Sequence, residues 1–256
     1  MVVGWRSPEG GKLTPSVSAA EIICSAIEEF GGSLAVLTSF QREGVIIIDL
    51  VRRIAPQIPI VTLDTGRLPA ATYEAVAMIE ARYGIHVERV LPDPSEVDAM
   101  VSVHGRDLFR DSVPQRMLCC NVRKVRPLAG RMASTSAYFT GVRREQNEER
   151  ENVPVFDRAG SPVKISPLAN WTEADVAQYT RGHKLPMHPL YAVGYRSIGC
   201  DPCTRAVLAG EDERAGRWWW EDDASKECGL HFSPDGRAER TVDVLLRDLL
   251  ERTVTA

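Results

Sequence analysis

The cysteines of this chain are spaced so that most of them could take part in chemistry. Five of the six form two pairs and a single residue near the C-terminus, namely Cys119-Cys120, Cys200-Asp-Pro-Cys203 and Cys228, and the sixth, Cys24, lies inside the first predicted helix as an expected core residue. Two pairs of thiolates can together ligate a metal centre. The remaining thiol, Cys228, is then available as a nucleophile, with His231 three residues later to approach it or its reaction partner.

The spacing of the two pairs favours an iron–sulfur cluster over zinc. Neighbouring cysteines at the start of a helix, which we predict at Asn121, can both reach a cluster whose iron atoms are separate. Four zinc ligands must instead converge on one atom. Lys124 follows Cys120 by one helical turn and could reach an anion bound beside the cluster. The alternatives are a small zinc site at Cys200 and Cys203, buried apolar roles for the other pair, and a solvated Lys124.

Strands and helices alternate in the first half of the chain. A capping box of Ser18 and Glu21 predicts a helix to Phe30. Apolar runs predict strands over 34–37, 59–63, 85–91 and 137–140, and helices are predicted over 43–54, from Pro69 to Tyr83, from Asn121, around 171–175 and from about Arg237. This alternation indicates βαβ units and a parallel sheet. We predict an acidic loop over 92–98 and irregular structure beyond Pro186.

Composition limits the class of protein. The chain has 256 residues, 44% of them hydrophobic, and a net charge of −4. These values predict one domain over 1–256, with a C-terminal catalytic segment and helical tail over about 221–256, and no nucleic-acid partner. No apolar run is long enough to cross a membrane, and the N-terminus does not resemble a signal peptide, so we expect no membrane association and a cytoplasmic location. Paired cysteines in that reducing compartment favour ligands over disulfides.

Two predicted loops lie where a parallel sheet binds ligands, beyond the carboxyl ends of its strands. They are 38–44 and 64–67. Ser39 offers a hydroxyl donor to an anion, although a serine there could simply cap the helix. The first loop lacks the glycines that wrap a triphosphate, which favours a monophosphate or phosphosulfate. Guanidinium groups suited to such anions come from Arg143, Arg144, Arg214 and Arg217.

The motifs occur jointly in an order that resembles a known family. They are T-S-F-Q after the first strand, L-D-T-G-R after the second, C-C-x-x-R-K, G-x-R-R-E-Q, C-x-P-C-T, R-x-x-R-W-W-W-E and K-E-C-G-L-H, and they span 34–232. The chain resembles assimilatory adenosine 5′-phosphosulfate (APS) reductases, thioredoxin-dependent relatives of PAPS reductases. The resemblance implies a PP-loop-like adenine-nucleotide α-hydrolase fold, with helices on both faces of an open, twisted parallel sheet, and an irregular C-terminal third that carries an iron–sulfur site.

The same resemblance implies a mechanism and a set of site residues. Cys228 would attack the sulfur of APS and release AMP, and reduced thioredoxin would then release sulfite. A [4Fe–4S] cluster with a structural and electrostatic role would be ligated by Cys119, Cys120, Cys200 and Cys203. Lys124 and His231 would act beside the reacting sulfur. Substrate would be bound by Ser39, Phe40, Gln41, Leu63, Thr65, Gly66, Arg67, Arg143, Arg144, Arg214 and Arg217.

Several alternatives remain open at the level of sequence. PAPS could be a second substrate if an arginine binds its 3′-phosphate. A PP-loop ATP pyrophosphatase would need a glycine-rich loop, and a redox sensor would leave the E-C-G-L-H motif unexplained. The residues Arg42-Glu43-Gly44 depart from the small and acidic residues of many relatives, which leaves Glu43 without a role. The helical tail could cover its own domain or, as we expect, pack on a neighbouring subunit of a homo-oligomer.

Overall fold

A six-stranded sheet organises the fold. The computed structural model describes residues 18–147, 150–221, 230–232 and 238–240. The sheet contains β1 (Leu34–Leu37), β2 (Ile60–Leu63), β3 (Glu88–Val90), β4 (Ala137–Phe139), β5 (Phe156–Asp157) and β6 (Val163–Ile165). Its order is β3-β2-β1-β4-β6-β5, and all neighbours are parallel except β5 and β6. The predicted α/β fold is therefore confirmed, with one antiparallel edge strand that the prediction lacked.

Seven α-helices accompany these strands within the described part of the chain. They are α1 (Ala19–Phe30), α2 (Arg42–Ile54), α3 (Ala70–Tyr83), α4 (Pro94–His104), α5 (Val113–Cys120), α6 (Arg126–Met132) and α7 (Glu173–Gly182). The predicted capping box of Ser18 and Glu21 begins α1, and a second one, of Thr172 and Asp175, begins α7. No described helix is long and apolar enough to cross a bilayer.

The core lies on both faces of the sheet, because successive residues of a strand point to opposite sides. Phe139 packs in the main cluster with apolar residues of α1, α2 and α3. Its neighbour Tyr138 packs on the other face against Leu128 and Met132 of α6. The sheet thus has helices on both faces, and its strands end in loops on which a site can be built.

Three predicted elements differ from the structure. The acidic loop predicted over 92–98 is wrong, because Asp93 caps α4 and Pro94 occupies the first helical turn, where its missing N–H costs no hydrogen bond. The strand predicted over 85–91 is shorter, at Glu88–Val90. The tail helix predicted from about Arg237 does not begin there, since β8 (Ala238–Arg240) pairs with β7 (Leu230–Phe232). The rest of that predicted helix lies outside the described residues.

The adjacent cysteines lie at the end of a helix rather than at a helix start. They form the last turn of α5, which continues through a π-helical segment, Asn121–Val125, into α6. Pro127 explains the wider turn, because it has no N–H to donate and its ring would clash with the preceding turn of an α-helix. The Arg126 N–H accordingly bonds to the carbonyl oxygen of Asn121, five residues back. Such π segments often occur at functional sites.

Candidate active site

The loop between β1 and α2 forms one wall of a cleft of about 240 Å³. Phe40 in this loop has φ +59°, an uncommon conformation for a residue with a side chain, and its N–H donates to Thr38 Oγ1 at 3.0 Å. Gly44 leaves room for the side chain of Thr38 within this loop, and Gly141 lets the loop after β4 approach it. A Cβ at Gly44 would lie 2.3 Å from Thr38 Oγ1, and one at Gly141 would lie 2.7 Å from Glu43 Cβ.

The cleft has more positive than negative groups along its walls. Its arginines are Arg42, Arg150, Arg196 and Arg214, and its carboxylates are Glu43 and Glu213. Ser39 and Gln41 add polar groups, with Gln41 Nε2 donating to Ser39 Oγ at 2.9 Å. This lining suits a phosphate or sulfate group, because guanidinium groups bind such anions through paired hydrogen bonds.

A second, smaller cavity brings the four paired cysteines together. Cys119, Cys120, Cys200 and Cys203 all line it, together with Lys124. Each thiol residue is buried, with 8–9% of its surface exposed. The two pairs are about 80 residues apart in the chain, so this cavity joins α5 to the irregular segment after α7.

Burial disfavours the thiolate form of two of these cysteines. Desolvation and, to a smaller extent, the nearby Cys200 raise the pKa of Cys203 to about 12 against the opposing charges of Lys124 and Arg217. Burial likewise raises the pKa of Cys119. Thiols in such surroundings become thiolates at neutral pH when a metal centre supplies compensating positive charge.

The donor set around this cavity suits a polynuclear iron–sulfur group. Four thiols from two segments of the chain line the cavity, and each could bind a different iron atom of such a group. Trp218 is fully buried at the cavity wall, and its indole N–H has no hydrogen-bond partner among the described residues. A thiolate or inorganic sulfide there would satisfy this donor.

The segment from Ser197 to Cys200 connects the two cavities. Ser197 lines the cleft, and its hydroxyl lies 3.4 Å from Arg214 Nη1 and 3.5 Å from Arg217 Nη1. The N–H of Ile198 donates to Gln41 Oε1 at 3.0 Å. Three residues after Ser197, the Sγ of Cys200 lies 3.2 Å from Thr65 Oγ1. This short segment therefore borders the cleft at Ser197 and the cysteine cavity at Cys200.

The predicted substrate-binding residues divide into separate groups in the structure. Ser39, Gln41 and Arg214 line the cleft, whereas Thr65 and Arg67 surround the cysteine cavity. Gly66 lies between Thr65 and Arg67 and forms the turn there, with φ +69°. Leu63 packs against the core. The side chain of Phe40 is fully buried, so Phe40 can contact a ligand only through its backbone.

Arg143 and Arg144, which were predicted to bind the substrate, are not among the residues that line the cleft, and both have partners within the protein. The Arg143 guanidinium is buried and bonds to Glu43, Glu145 and Glu173. Arg144 donates to the carbonyl oxygen of Val153 and to Asn170 Oδ1. The same network holds the carboxylate of Glu43 in place, because Glu43 Oε1 accepts hydrogen bonds from both Arg143 Nε and Gln146 Nε2. These groups hold the two loops of the cleft together.

Arg143→Met is expected to destabilise the protein, because the buried Glu43 would lose its ion-pair partner. A buried pair broken on one side typically costs about 3–5 kcal/mol in the free energy of unfolding. Urea denaturation would measure the change. The exposed pair of Arg158 with Glu29 provides a matched control, and Arg158→Met should leave stability nearly unchanged. Equal stability of wild-type protein and Arg143→Met would contradict this structural role.

Sequence reasoning missed three arginines of the cleft, namely Arg42, Arg150 and Arg196. Arg42 lies in the first turn of α2, bonds to Glu173 and lies 5.7 Å from the ring centre of Tyr191. Arg150 follows the G-x-R-R-E-Q motif, and Arg196 directly precedes Ser197. Their nearness to motifs was the available signal, but only the folded chain brings all three to one cleft.

The predicted nucleophile lies outside the described residues. Cys228 follows the last described residue of the preceding segment, Glu221, by seven positions. His231 lies on β7, and its side chain is also outside the described part. Glu221 itself is buried beside the cysteine cavity, where Arg116 Nε donates to it at 2.5 Å.

Comparison with known proteins adds a second line of observation. Residues 33–206 match the phosphoadenosine phosphosulfate reductase domain. An adenosine 5′-phosphosulfate reductase of Allochromatium vinosum is 45% identical over 226 residues, covering 86% of this chain and 88% of that protein. One from Burkholderia cepacia is 40% identical, covering 86% and 91%. The crystal structure of a phosphoadenylyl-sulfate reductase from Candida auris, in complex with phosphate, superposes with a TM-score of 0.62 at 27% identity, covering 74% of this chain and 90% of that one.

Proposed function

This chain belongs to the phosphoadenosine phosphosulfate reductase family, and from that premise we propose that it reduces adenosine 5′-phosphosulfate to sulfite and AMP. Relatives that match most of the chain at 40–45% identity are named for this substrate. The reaction would serve sulfate assimilation and the synthesis of cysteine.

The observation that carries this proposal is the convergence of four cysteines beside an arginine-lined cleft. Two distant pairs of thiols line one buried cavity, and the Ser197–Cys200 segment joins that cavity to the cleft. The cleft lacks a glycine-rich loop but offers guanidinium groups, which suits a short anion such as a phosphosulfate. Arg150 and Arg196 join Arg214 as candidate ligands for that anion.

In the first step, the thiolate of Cys228 attacks the sulfur atom of the phosphosulfate. The new bond joins the cysteine sulfur to the sulfonate, and the bond from sulfur to the phosphate oxygen breaks, so AMP leaves with that electron pair. The product on the enzyme is an S-sulfocysteine. Arginines along the cleft would hold the phosphate and stabilise the charge that develops on the leaving oxygen.

In the second step, a dithiol reductant, which we take to be thioredoxin, supplies both electrons. One of its thiolates attacks the sulfur of Cys228, sulfite leaves with the bonding electrons, and a mixed disulfide forms. The second thiol of the reductant then displaces Cys228 and restores its free thiol. One dithiol is thus oxidised to a disulfide for each sulfite released.

The four cavity cysteines would hold a [4Fe–4S] cluster as the cofactor. When bound, this group would supply a local electrostatic field and a covalent connection between α5 and the segment around Cys200. The chain's own groups complete the surroundings, since Thr65 Oγ1 contacts Cys200 and Trp218 presents its unpaired indole N–H. Lys124 lines the same cavity from the π-helical segment.

A comparison of the two candidate substrates tests the proposed specificity. We expect kcat/KM for APS to exceed that for PAPS by at least about 100-fold. The added group of PAPS is its 3′-phosphate, and the site rejects PAPS if this phosphate makes an unfavourable contact there. Sulfite release with reduced thioredoxin measures both values. A preference for PAPS would overturn the substrate assignment while leaving the mechanism intact.

Lys124→Ala is expected to slow the transfer of the sulfonate to Cys228 by about 100-fold, as is typical when one preorganised charged donor is removed. The brown chromophore and iron content should remain, since the four thiols are unchanged. Rapid-quench measurement of the first step would give the rate. An unchanged rate would show that Lys124 takes no part in the transfer of the sulfonate to Cys228.

The remaining assignments concern partners and cellular context. We propose that the chain acts as a single domain in the cytoplasm, with thioredoxin as a transient partner and no nucleic-acid or membrane partner. The described part of the chain has no helix suited to a bilayer, which is compatible with that location. We further propose a homo-oligomer, which sedimentation of the purified protein would test against a monomer.

A further inference from the structure

Two guanidinium groups lie over the ring of Trp218 at the wall of the cysteine cavity. The Cζ of Arg116 is 4.3 Å from the Trp218 ring centre, and that of Arg217 is 4.6 Å from it. The indole is fully buried, and its backbone has φ +42°. A bulky residue in this conformation costs free energy, and such strain persists where the surrounding contacts hold it in place.

Arg116 also forms a buried ion pair with Glu221. Its Nε donates to Glu221 Oε1 at 2.5 Å, and only 6% and 5% of the two side chains are exposed. The Glu221 N–H bonds to the Trp218 carbonyl oxygen at 2.9 Å, which closes a short turn between these residues. A buried pair gains little net stability over apolar side chains, because both charges lose their hydration. The Arg116–Glu221 pair therefore matters more for the fixed geometry that it imposes on the two side chains than for the net stability that it adds.

Three parts of the site meet at this cluster of Arg116, Trp218 and Glu221. Arg116 lies on α5, one turn before the cysteine pair at its end. Arg217, the second guanidinium over the indole ring, reaches Ser197 at the edge of the arginine-lined cleft. Glu221 precedes Cys228 by seven residues, a span of at most about 25 Å when extended. The starting point of the Cys228 segment is thus fixed relative to the cysteine helix and the cleft.

We propose that Arg116 is a positioning residue, which through Glu221 and Trp218 fixes the start of the segment that carries Cys228. This inference rests on the proposed function, in which Cys228 attacks the sulfur of the substrate. Arg116 touches no reacting atom in this account. It limits the conformations from which the thiolate can reach the phosphosulfate, and such orientation strongly affects the rate of the chemical step.

A double-mutant cycle tests this role. The variants are Arg116→Gln, Glu221→Gln and the combination of both. The control is Arg131→Gln, which removes the half-buried ion pair between Arg131 on α6 and Glu88 on β3. We expect each single variant to slow formation of the Cys228 adduct at saturating APS by about 10- to 100-fold. The double variant should be no slower than the worse single variant, because one interaction is lost in all three.

Two further readouts separate positioning from a loss of structure. The Kd for AMP and the iron content should stay within about twofold of the wild-type values, and Arg131→Gln should react at the wild-type rate. Trypsin cleavage after Lys226 should become at least about threefold faster in Arg116→Gln but not in the control, since the start of that segment would be released.

The outcomes distinguish this inference from the proposed function. Wild-type reaction rates in the variants would overturn the positioning role, as would single effects that multiply in the double variant. A parallel loss of iron or of AMP binding would also overturn it, because Arg116 would then serve the cavity alone. If wild-type protein forms no adduct, the proposed function fails. The cleavage measurement then still decides whether Arg116 anchors the segment.

Discussion

Cys228→Ser is expected to abolish sulfite production, with a fall in turnover of at least about 10⁴-fold. A serine hydroxyl has a much higher pKa than a thiol, so it is not ionised near neutral pH and cannot accept the sulfonate at a useful rate. The reaction with thioredoxin also requires a sulfur atom at this position, since sulfite leaves as a disulfide forms. Both steps of the mechanism therefore fail together.

The cleft and the cysteine cavity should survive this substitution, because none of their described residues is changed. Iron content, the visible absorption spectrum and the Kd for AMP should all equal the wild-type values. Substantial turnover by Cys228→Ser would contradict the nucleophilic role. Loss of iron from this variant would instead assign Cys228 to the metal centre.

Cys203→Ser is expected to lose iron and turnover together. The four thiols share one buried cavity, so under the proposed function this change would remove one ligand of the centre and weaken the connection between α5 and the segment around Cys200. The Ser197–Cys200 segment carries part of the cleft wall, and the loss should therefore also weaken binding of AMP. Iron and acid-labile sulfide analysis, with sulfite assays, would measure both effects.

Cys24→Ser is the matched control for this prediction. Cys24 lies on α1, away from the cavity, and is half-buried beside Glu28 and Glu21. Its replacement should leave iron content and turnover at wild-type levels. A Cys203→Ser protein that is iron-free and fully active would refute any need for the metal centre, and an iron-loaded one would remove Cys203 from the ligand set.

Local signals predicted most of the first half of the fold. The capping box at Ser18 and Glu21 and the apolar run of β1 define those elements from nearby residues alone, and Gly84 ends α3 in the left-handed conformation. Strands β5 and β6 were missed because they have two and three residues and little apolar pattern. Their places in the sheet depend on other segments of the chain, since β6 pairs with β4 and β5 pairs with β6. The match to the phosphoadenosine phosphosulfate reductase domain confirms the family membership that the ordered motifs predicted.

The site was predictable as a set of motifs but not as a set of contacts. The sequence indicates that the cysteine pairs act together, and the structure places them at one cavity. The assignment of Arg143 and Arg144 to the anion stays a prediction, and sequence could not show that Arg143 is already paired with Glu43 and Glu173 within the protein. Arg116 was not predicted at all from the sequence, because its partner Glu221 lies 105 residues away and no spacing rule connects the two residues.

The most direct test of the account is the intact mass of the protein after it is mixed with APS in the absence of any reductant. The account predicts a stable increase of about 80 Da, the mass of one sulfonate, which peptide mapping places on Cys228. Addition of reduced thioredoxin should remove it and release one sulfite for each protein chain. No mass increase, or a sulfonate on one of the four cavity cysteines, would contradict the central claim.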